Sequence, residues 1–162
     1  YPAWPGIALP AFTDLMTDDS LTAAAHAQCL SPAFRDTVWE HHPDRSAHPA
    51  APPPSTRIHP QDQMLRHSLR SWGEVNRSVA QYFNVALQQH AAARQVLLRL
   101  YGEQATQLTV LDFACGWGRL LRFLIRTLPP GQIWASDVQH DAVDFVASEF
   151  GVQGINSEED PE

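Results

Sequence analysis

Two acidic residues and a glycine-containing turn form the stretch of the chain best suited to chemistry. Asp112 lies near the end of an apolar run, and Gly116 and Gly118 follow it closely. A second acid, Asp137, ends the next apolar run. Glycine has no Cβ, so it allows positive φ and lets a ligand lie against the backbone. Because ligands of an open parallel sheet bind beyond the carboxyl ends of its strands, we expect a ligand site where these residues meet.

Alternating strand and helix patterns must position these residues. Short, apolar, β-branched runs predict buried strands, and they cover residues 107–114, 132–137 and 150–156. Helices are predicted between them from apolar periodicity, over residues 117–128 and 141–150. The resulting β-α-β-α-β order predicts a parallel sheet with right-handed crossovers. Asp112 and Asp137 then lie at its carboxyl edge, beside the free amides of a helix that begins near Gly118.

The chain before residue 103 is helical and rich in proline. Apolar residues at three- and four-residue steps predict helices, over residues 61–72 and 74–101, and a shorter helix is expected within residues 18–34. The segment from Glu40 to Pro60 contains three consecutive prolines, which favour extended backbone and predict a linker or a long surface loop. We therefore divide the chain into a proline- and histidine-rich region (1–60), a helical lead-in (61–102) and a cofactor-binding part (103–162).

The turn differs from a dinucleotide-binding pattern. G-x-G-x-x-G requires a third small residue, but Leu121 fills that position. Asp112 also puts a carboxylate near the place where a pyrophosphate would lie, and like charges repel. A cofactor with cationic groups and no phosphate tolerates that carboxylate. A P-loop is excluded because its glycine-lysine pattern is absent.

The segment VLDFACGWGRLL resembles the first motif of the class I S-adenosylmethionine-dependent methyltransferases, and IWASDV resembles the acid-ended second strand of that family. The resemblance covers about residues 107–156, with a less specific helical lead-in from about Arg66. Ala114 stands where the family has its first glycine. The resemblance implies an α/β fold with a partial, Rossmann-like parallel sheet of about three strands, preceded by a mostly helical, proline-rich N-terminal region.

The resemblance also implies a role for each site residue. Asp112 and the backbone from Ala114 to Gly118 would face the methionine part of S-adenosylmethionine, and Asp137 would bind the ribose hydroxyls. Val138 would lie beside the adenine, with Asn156 or Ser157 at its edge. The predicted cofactor-binding residues are Asp112, Phe113, Ala114, Cys115, Gly116, Trp117, Gly118, Asp137, Val138 and Asn156.

The implied activity is methyl transfer. The sequence identifies neither the methyl acceptor nor a catalytic residue. Tyr82 and Arg77, on the long helix, either close over the cofactor or simply pack and face solvent. The alternative to an enzyme is a non-catalytic module that binds the cofactor or a partner within a larger protein. A nicotinamide dehydrogenase is disfavoured by Leu121, and a purely structural β-α-β unit remains the simplest alternative.

Composition limits the remaining classes. The net charge is −7, which argues against a nucleic-acid partner. No apolar run is long enough to span a membrane, and two cysteines are too few for a disulfide framework, so we expect a cytoplasmic protein. The histidines of residues 41–59 lack the spacing of a metal site, and none is predicted. About three strands of a larger sheet predict a piece of a longer protein, with an uncovered sheet edge open to self-association.

Overall fold

The computed structural model describes residues 18–40 and 55–158. Six α-helices and three parallel strands form the described part of the chain. Four helices come first: α1 (Asp18–Cys29), α2 (Pro32–Glu40), α3 (Gln63–Trp72) and α4 (Val75–Tyr101). The strands and the helices that connect them follow as β1 (Val110–Phe113), α5 (Leu121–Leu124), β2 (Ile133–Asp137), α6 (His140–Phe150) and β3 (Gln153–Asn156).

The two helices of the lead-in begin and end at residues that satisfy their free backbone groups. The Asp62 carboxylate accepts a hydrogen bond from the Met64 amide at 2.8 Å and caps α3. Gly73 ends that helix with φ of 63°. The Glu74 carboxylate caps α4 in the same way, and Gly102 follows its last residue. The predicted bounds of both helices are confirmed to within two residues.

Two helices differ from the prediction. The sequence places Pro32 near the end of a single helix, but it begins α2, where a missing amide hydrogen costs nothing. The Ser31 hydroxyl caps α2 by accepting from the Phe34 amide at 3.2 Å. The helix expected over residues 117–128 contains only the short α5. Around α5, some backbone amides bond to the carbonyl four residues earlier, as in an α-helix, and others to the carbonyl three residues earlier, as in a 3₁₀-helix. Gly118 has a positive φ of 75°, so a regular helix cannot extend back to Trp117.

The sheet has the order β1-β2-β3, and all pairs are parallel. Val110, Ile133 and Ala135 share the face that packs against α5 and α6. The opposite face bears Leu111, Phe113 and Ile155, which are 54%, 73% and 41% exposed. We call this surface the open face. Among the helices, the long helix α4 packs mainly against α1, α3 and α5.

Residues 55–62 connect α1 with α6, which packs against the sheet. The Thr56 hydroxyl donates to the Cys29 carbonyl of α1, and Arg57 forms an ion pair of 2.9 Å with Glu149 of α6. Thr56 and Ile58 are buried. The end of the proline-rich segment is therefore packed rather than exposed, whereas residues 41–54 of the predicted linker lie outside the described residues.

A buried arginine extends this connection. The Arg122 guanidinium, fully buried, donates to the backbone carbonyls of Ser55 and Arg57 at 3.1 and 3.2 Å. It also lies 3.4 Å from the Tyr82 hydroxyl, which donates at 2.6 Å to Asp62.

Within residues 18–40 and 55–158, no helix has the length and apolar character to cross a membrane.

Candidate functional site

The turn after β1 has an unusual backbone. Ala114, Gly116 and Gly118 all have positive φ, of 58°, 50° and 75°. The two glycines thus adopt the positive φ that their lack of a Cβ allows. This conformation is costly for Ala114, by about 1–2 kcal/mol, because its Cβ crowds the following carbonyl oxygen. We call residues 114–118 the glycine turn.

The two glycines of the turn have different surroundings. A Cβ added to Gly116 would meet no atom within 4 Å, so this position faces open space. A Cβ added to Gly118 would lie 2.4 Å from Phe150 Cε2 and 2.9 Å from Val146 Cγ1. Gly118 is therefore required for packing against α6, which differs from the expectation that both glycines leave room for a ligand.

Asp137 holds the glycine turn in place. Its Oδ2 accepts a hydrogen bond from the Gly116 amide at 2.8 Å, and its Oδ1 accepts from the Gln139 amide at 2.9 Å. The amide of Cys115 donates to the Ser136 carbonyl at 3.0 Å, which fixes the turn to β2 a second time. A carboxylate offers about four lone pairs, so Asp137 keeps the capacity to accept further hydrogen bonds from a ligand.

Asp112 lies beside this acid, on the same face of the sheet. Its Oδ2 is buried and has no hydrogen-bond partner among the residues that the structure describes. Burial, and after it the charge of Asp137, raises the pKa of Asp112 to about 6. A desolvated carboxylate that lacks a donor is unstable as an anion. A ligand that brings a positive charge or a donor would stabilise it.

A groove adjoins Asp112 along the free edge of β1. It has a volume of about 380 Å³ and separates α4 from the strand. Its walls are apolar apart from Asp112 and include Ala93, Val96, Leu97, Leu111, Leu120 and Leu124. Asp112 therefore borders a non-polar recess.

The structure brings most of the predicted site residues to one edge of the sheet. Asn156 is paired in register with Asp137, and Val138, directly after β2, is 48% exposed. Phe113 is the exception, because its side chain lies on the open face and is 73% exposed. Only the backbone of Phe113 can therefore belong to the site.

Cys115 and Trp117, the other side chains of the turn, are buried. Burial, with the charges of Asp112 and Asp137, raises the pKa of the Cys115 thiol to about 12, so the reactive thiolate is disfavoured. Tyr82 is buried against Asp62, and the guanidinium of Arg77 lies 3.5 Å from the ring centre of Trp72. Both therefore pack as structural residues rather than closing over the turn.

An aromatic cluster beside the turn was not predicted. The rings of His59 and Trp117 are stacked, with centroids 3.8 Å apart and an angle of 3° between their planes. Phe145 of α6 packs edge-on against both rings. Sequence reasoning considered His59 only with the metal-binding potential of its neighbours, because a contact across 58 positions has no local signal.

The chain matches no protein-family model, and comparisons with curated proteins and with solved structures give no significant match. The described residues also contain no group of three or more histidine, cysteine or acidic side chains arranged to hold a metal ion. Function must therefore be inferred from the geometry of the glycine turn and its two acids.

Proposed function

We propose that this chain binds S-adenosylmethionine at the glycine turn and supplies the cofactor-binding half of a methyltransferase with a Rossmann-like sheet. The observation that carries the proposal is the buried, unpartnered Oδ2 of Asp112 beside the turn. Among the described residues that oxygen lacks a cationic or hydrogen-bonding partner, and the ammonium group of S-adenosylmethionine provides one.

The electrostatics of the site support a cationic ligand over a phosphate. Asp112 and Asp137 place two carboxyl groups next to the turn, and the charge of one already opposes ionisation of the other. A pyrophosphate at this position would add further negative charge in a partly desolvated site. An ammonium group instead lowers the pKa of Asp112 by direct attraction and restores its charge.

The residues present fit the remaining parts of the cofactor. Asp137 has lone pairs left for two ribose hydroxyls, while its existing bond keeps the Gly116 amide in place. Gly116 leaves open space beside the turn, so a ligand can lie against the backbone. S-adenosylmethionine, when bound, supplies a methyl group activated by its sulfonium charge. The contribution of this chain is to bind, orient and exclude water.

A second candidate is a non-catalytic module that binds a partner protein. The open face favours it, because Leu111, Phe113 and Ile155 form an exposed apolar surface beside the site. Calorimetry with S-adenosylhomocysteine distinguishes a module that binds only a partner from the proposed enzyme. Turnover with an acceptor distinguishes the enzyme from a module that also binds the cofactor.

Titration calorimetry of the unmodified protein with S-adenosylhomocysteine and with NAD tests the proposal. We expect S-adenosylhomocysteine to bind and NAD to bind far more weakly. Asp112→Asn should weaken S-adenosylhomocysteine binding, while Asp144→Asn, at an exposed position of α6, should leave it unchanged. Tight binding of NAD with no heat from S-adenosylhomocysteine would refute the proposal.

A further inference from the structure

The glycine turn has few side chains that can fix its conformation. Three of its five residues have positive φ, and among them only alanine has a side chain. Trp117 is the one large side chain of the turn, and it is 7% exposed. Trp117 therefore adds a side-chain anchor to the hydrogen bonds that the Gly116 and Cys115 amides donate to Asp137 and Ser136.

The partner of Trp117 comes from the segment just before the helical lead-in rather than from the sheet. His59 stacks on the indole with nearly parallel rings. The residues on both sides of His59 are anchored, through the ion pair of Arg57 with Glu149 and the hydrogen bond of Asp62 with Tyr82. The imidazole is consequently held over the turn by contacts with α6 and α4.

The histidine ring also has a defined hydrogen bond. The amide of Gln61 donates to Nδ1 of His59 at 3.2 Å, which requires that Nδ1 carry no proton. A neutral ring therefore has its proton on Nε2. Protonation of Nδ1 would remove this hydrogen bond and place a cation near Arg57.

We propose that His59 is a positioning residue for the cofactor site. By stacking on Trp117, His59 holds this side chain, and through it the Gly116 amide, in the binding conformation. Its effect on cofactor affinity rests on the proposed function, whereas its effect on the turn does not. The role goes beyond the motif residues themselves, because His59 lies outside the β-α-β unit.

The charges around His59 make its protonation state sensitive to neighbouring elements. Burial, and then Arg57, lowers the pKa of His59, while Asp141 of α6 and Asp62 raise it. His26 of α1 also faces it, since the charged form of His59 contributes to lowering the pKa of His26. The net effect lowers the pKa of His59, which favours the neutral ring at pH 7 and above.

Amide hydrogen exchange of the free protein tests the positioning role without any ligand. Removing the stack with His59→Ala should speed exchange of the Gly116 amide roughly threefold to tenfold, because an aromatic pair contributes about 0.5–1.5 kcal/mol beyond its buried area. His59→Phe, which keeps a stacking ring, should restore slow exchange. His67→Ala, at an exposed position of α3, is the matched control. A merely structural loss would instead speed exchange throughout α5, α6 and β2.

A pH titration of the Trp117 indole resonance adds a second measurement. The parent should show a transition with a midpoint below 6.5 that disappears in His59→Phe. Calorimetry should then show weaker S-adenosylhomocysteine binding by His59→Ala and near-normal binding by His59→Phe. If His59→Ala leaves both Gly116 exchange and the indole resonance unchanged, the inference is wrong. If those change but no variant or parent binds the cofactor, the proposed function fails instead.

Discussion

Asp112 and Asp137 lie on the same face of adjacent strands, and each affects what the other can bind. Asp137 is occupied by the Gly116 and Gln139 amides, whereas Asp112 has a buried oxygen without a partner among the described residues. One acid therefore holds the site together, and the other is left to receive a ligand. This division explains why the two carboxylates should respond differently to mutation and to pH.

Asp112→Asn should stabilise the ligand-free protein at pH 7.5, by up to about 3 kcal/mol. The pKa of Asp112 is raised from 3.8 to about 6 in the folded state, so its ionised form opposes folding. Below pH 6 the folded protein takes up the proton first, and the penalty disappears as pH falls through 3.8. Urea denaturation should therefore show a large advantage of the variant at pH 7.5 and almost none at pH 4. An equal advantage at both pH values would mean that ionisation of the Asp112 carboxyl does not destabilise the fold.

Asp137→Ala should weaken cofactor binding and loosen the turn at once. It removes charge-assisted hydrogen bonds worth about 1.5–3 kcal/mol in affinity and also frees the Gly116 amide. Asp137→Asn keeps one oxygen as an acceptor and should show a smaller loss in calorimetry with S-adenosylhomocysteine. Unchanged affinity in the alanine variant would show that the ribose does not bind at this acid.

Substitution of the two glycines of the turn should affect different properties, cofactor binding at Gly116 and stability at Gly118. Gly116→Val should abolish cofactor binding, because its side chain would enter the open space beside the turn and a β-branched residue resists positive φ. Gly118→Ala should instead destabilise the fold by roughly 2–4 kcal/mol, because its Cβ would collide with Phe150. Thermal denaturation and calorimetry of both variants separate the two effects. Loss of binding without loss of stability in Gly118→Ala would overturn this assignment.

Ala114→Gly should increase stability by about 1 kcal/mol. Alanine is strained at φ of 58°, and glycine relieves that strain at the cost of a more flexible unfolded chain. Ala80→Gly, at an exposed position within α4, is the control and should lose about 1 kcal/mol. Urea denaturation of the three proteins measures both changes, and a destabilised Ala114→Gly variant would be inconsistent with the strain.

The open face should cause concentration-dependent self-association. Leu111 and Phe113 expose apolar surface at the free edge of β1, and Ile155 does so on β3, on the same face of the sheet. Phe113→Glu should reduce association measured by light scattering, because it replaces the most exposed of these three apolar side chains with a charge. Leu30→Glu, which changes an exposed residue directly after α1, should have little effect. A parent protein that remains monomeric at all concentrations would argue that the net charge of −7 outweighs the apolar contact.

Local patterns predicted the elements that depend on local chemistry. Apolar periodicity and the glycines that end helices predicted the strands, α4 and α6. The alternation of these strands and helices predicted a parallel sheet, which the structure confirms. α5 is shorter than its apolar pattern indicates, because Gly118 must turn to pack beneath Phe150. Burial of Arg122 and the stacking of His59 on Trp117 depend on residues 40 or more positions apart, and no period in the sequence encodes such contacts.

Arg122 ties the chain before residue 103 to the part that forms the sheet, although the two parts are separate in sequence. Its charge is fully buried, and its hydrogen bonds end on Ser55, Arg57 and Tyr82, all before residue 103. If the chain before residue 103 separated from the sheet, this guanidinium would lose all of these hydrogen bonds, and the apolar side chains packed around it would become exposed to water. The two parts must therefore lose their structure together, and calorimetry should record one cooperative melting transition rather than two.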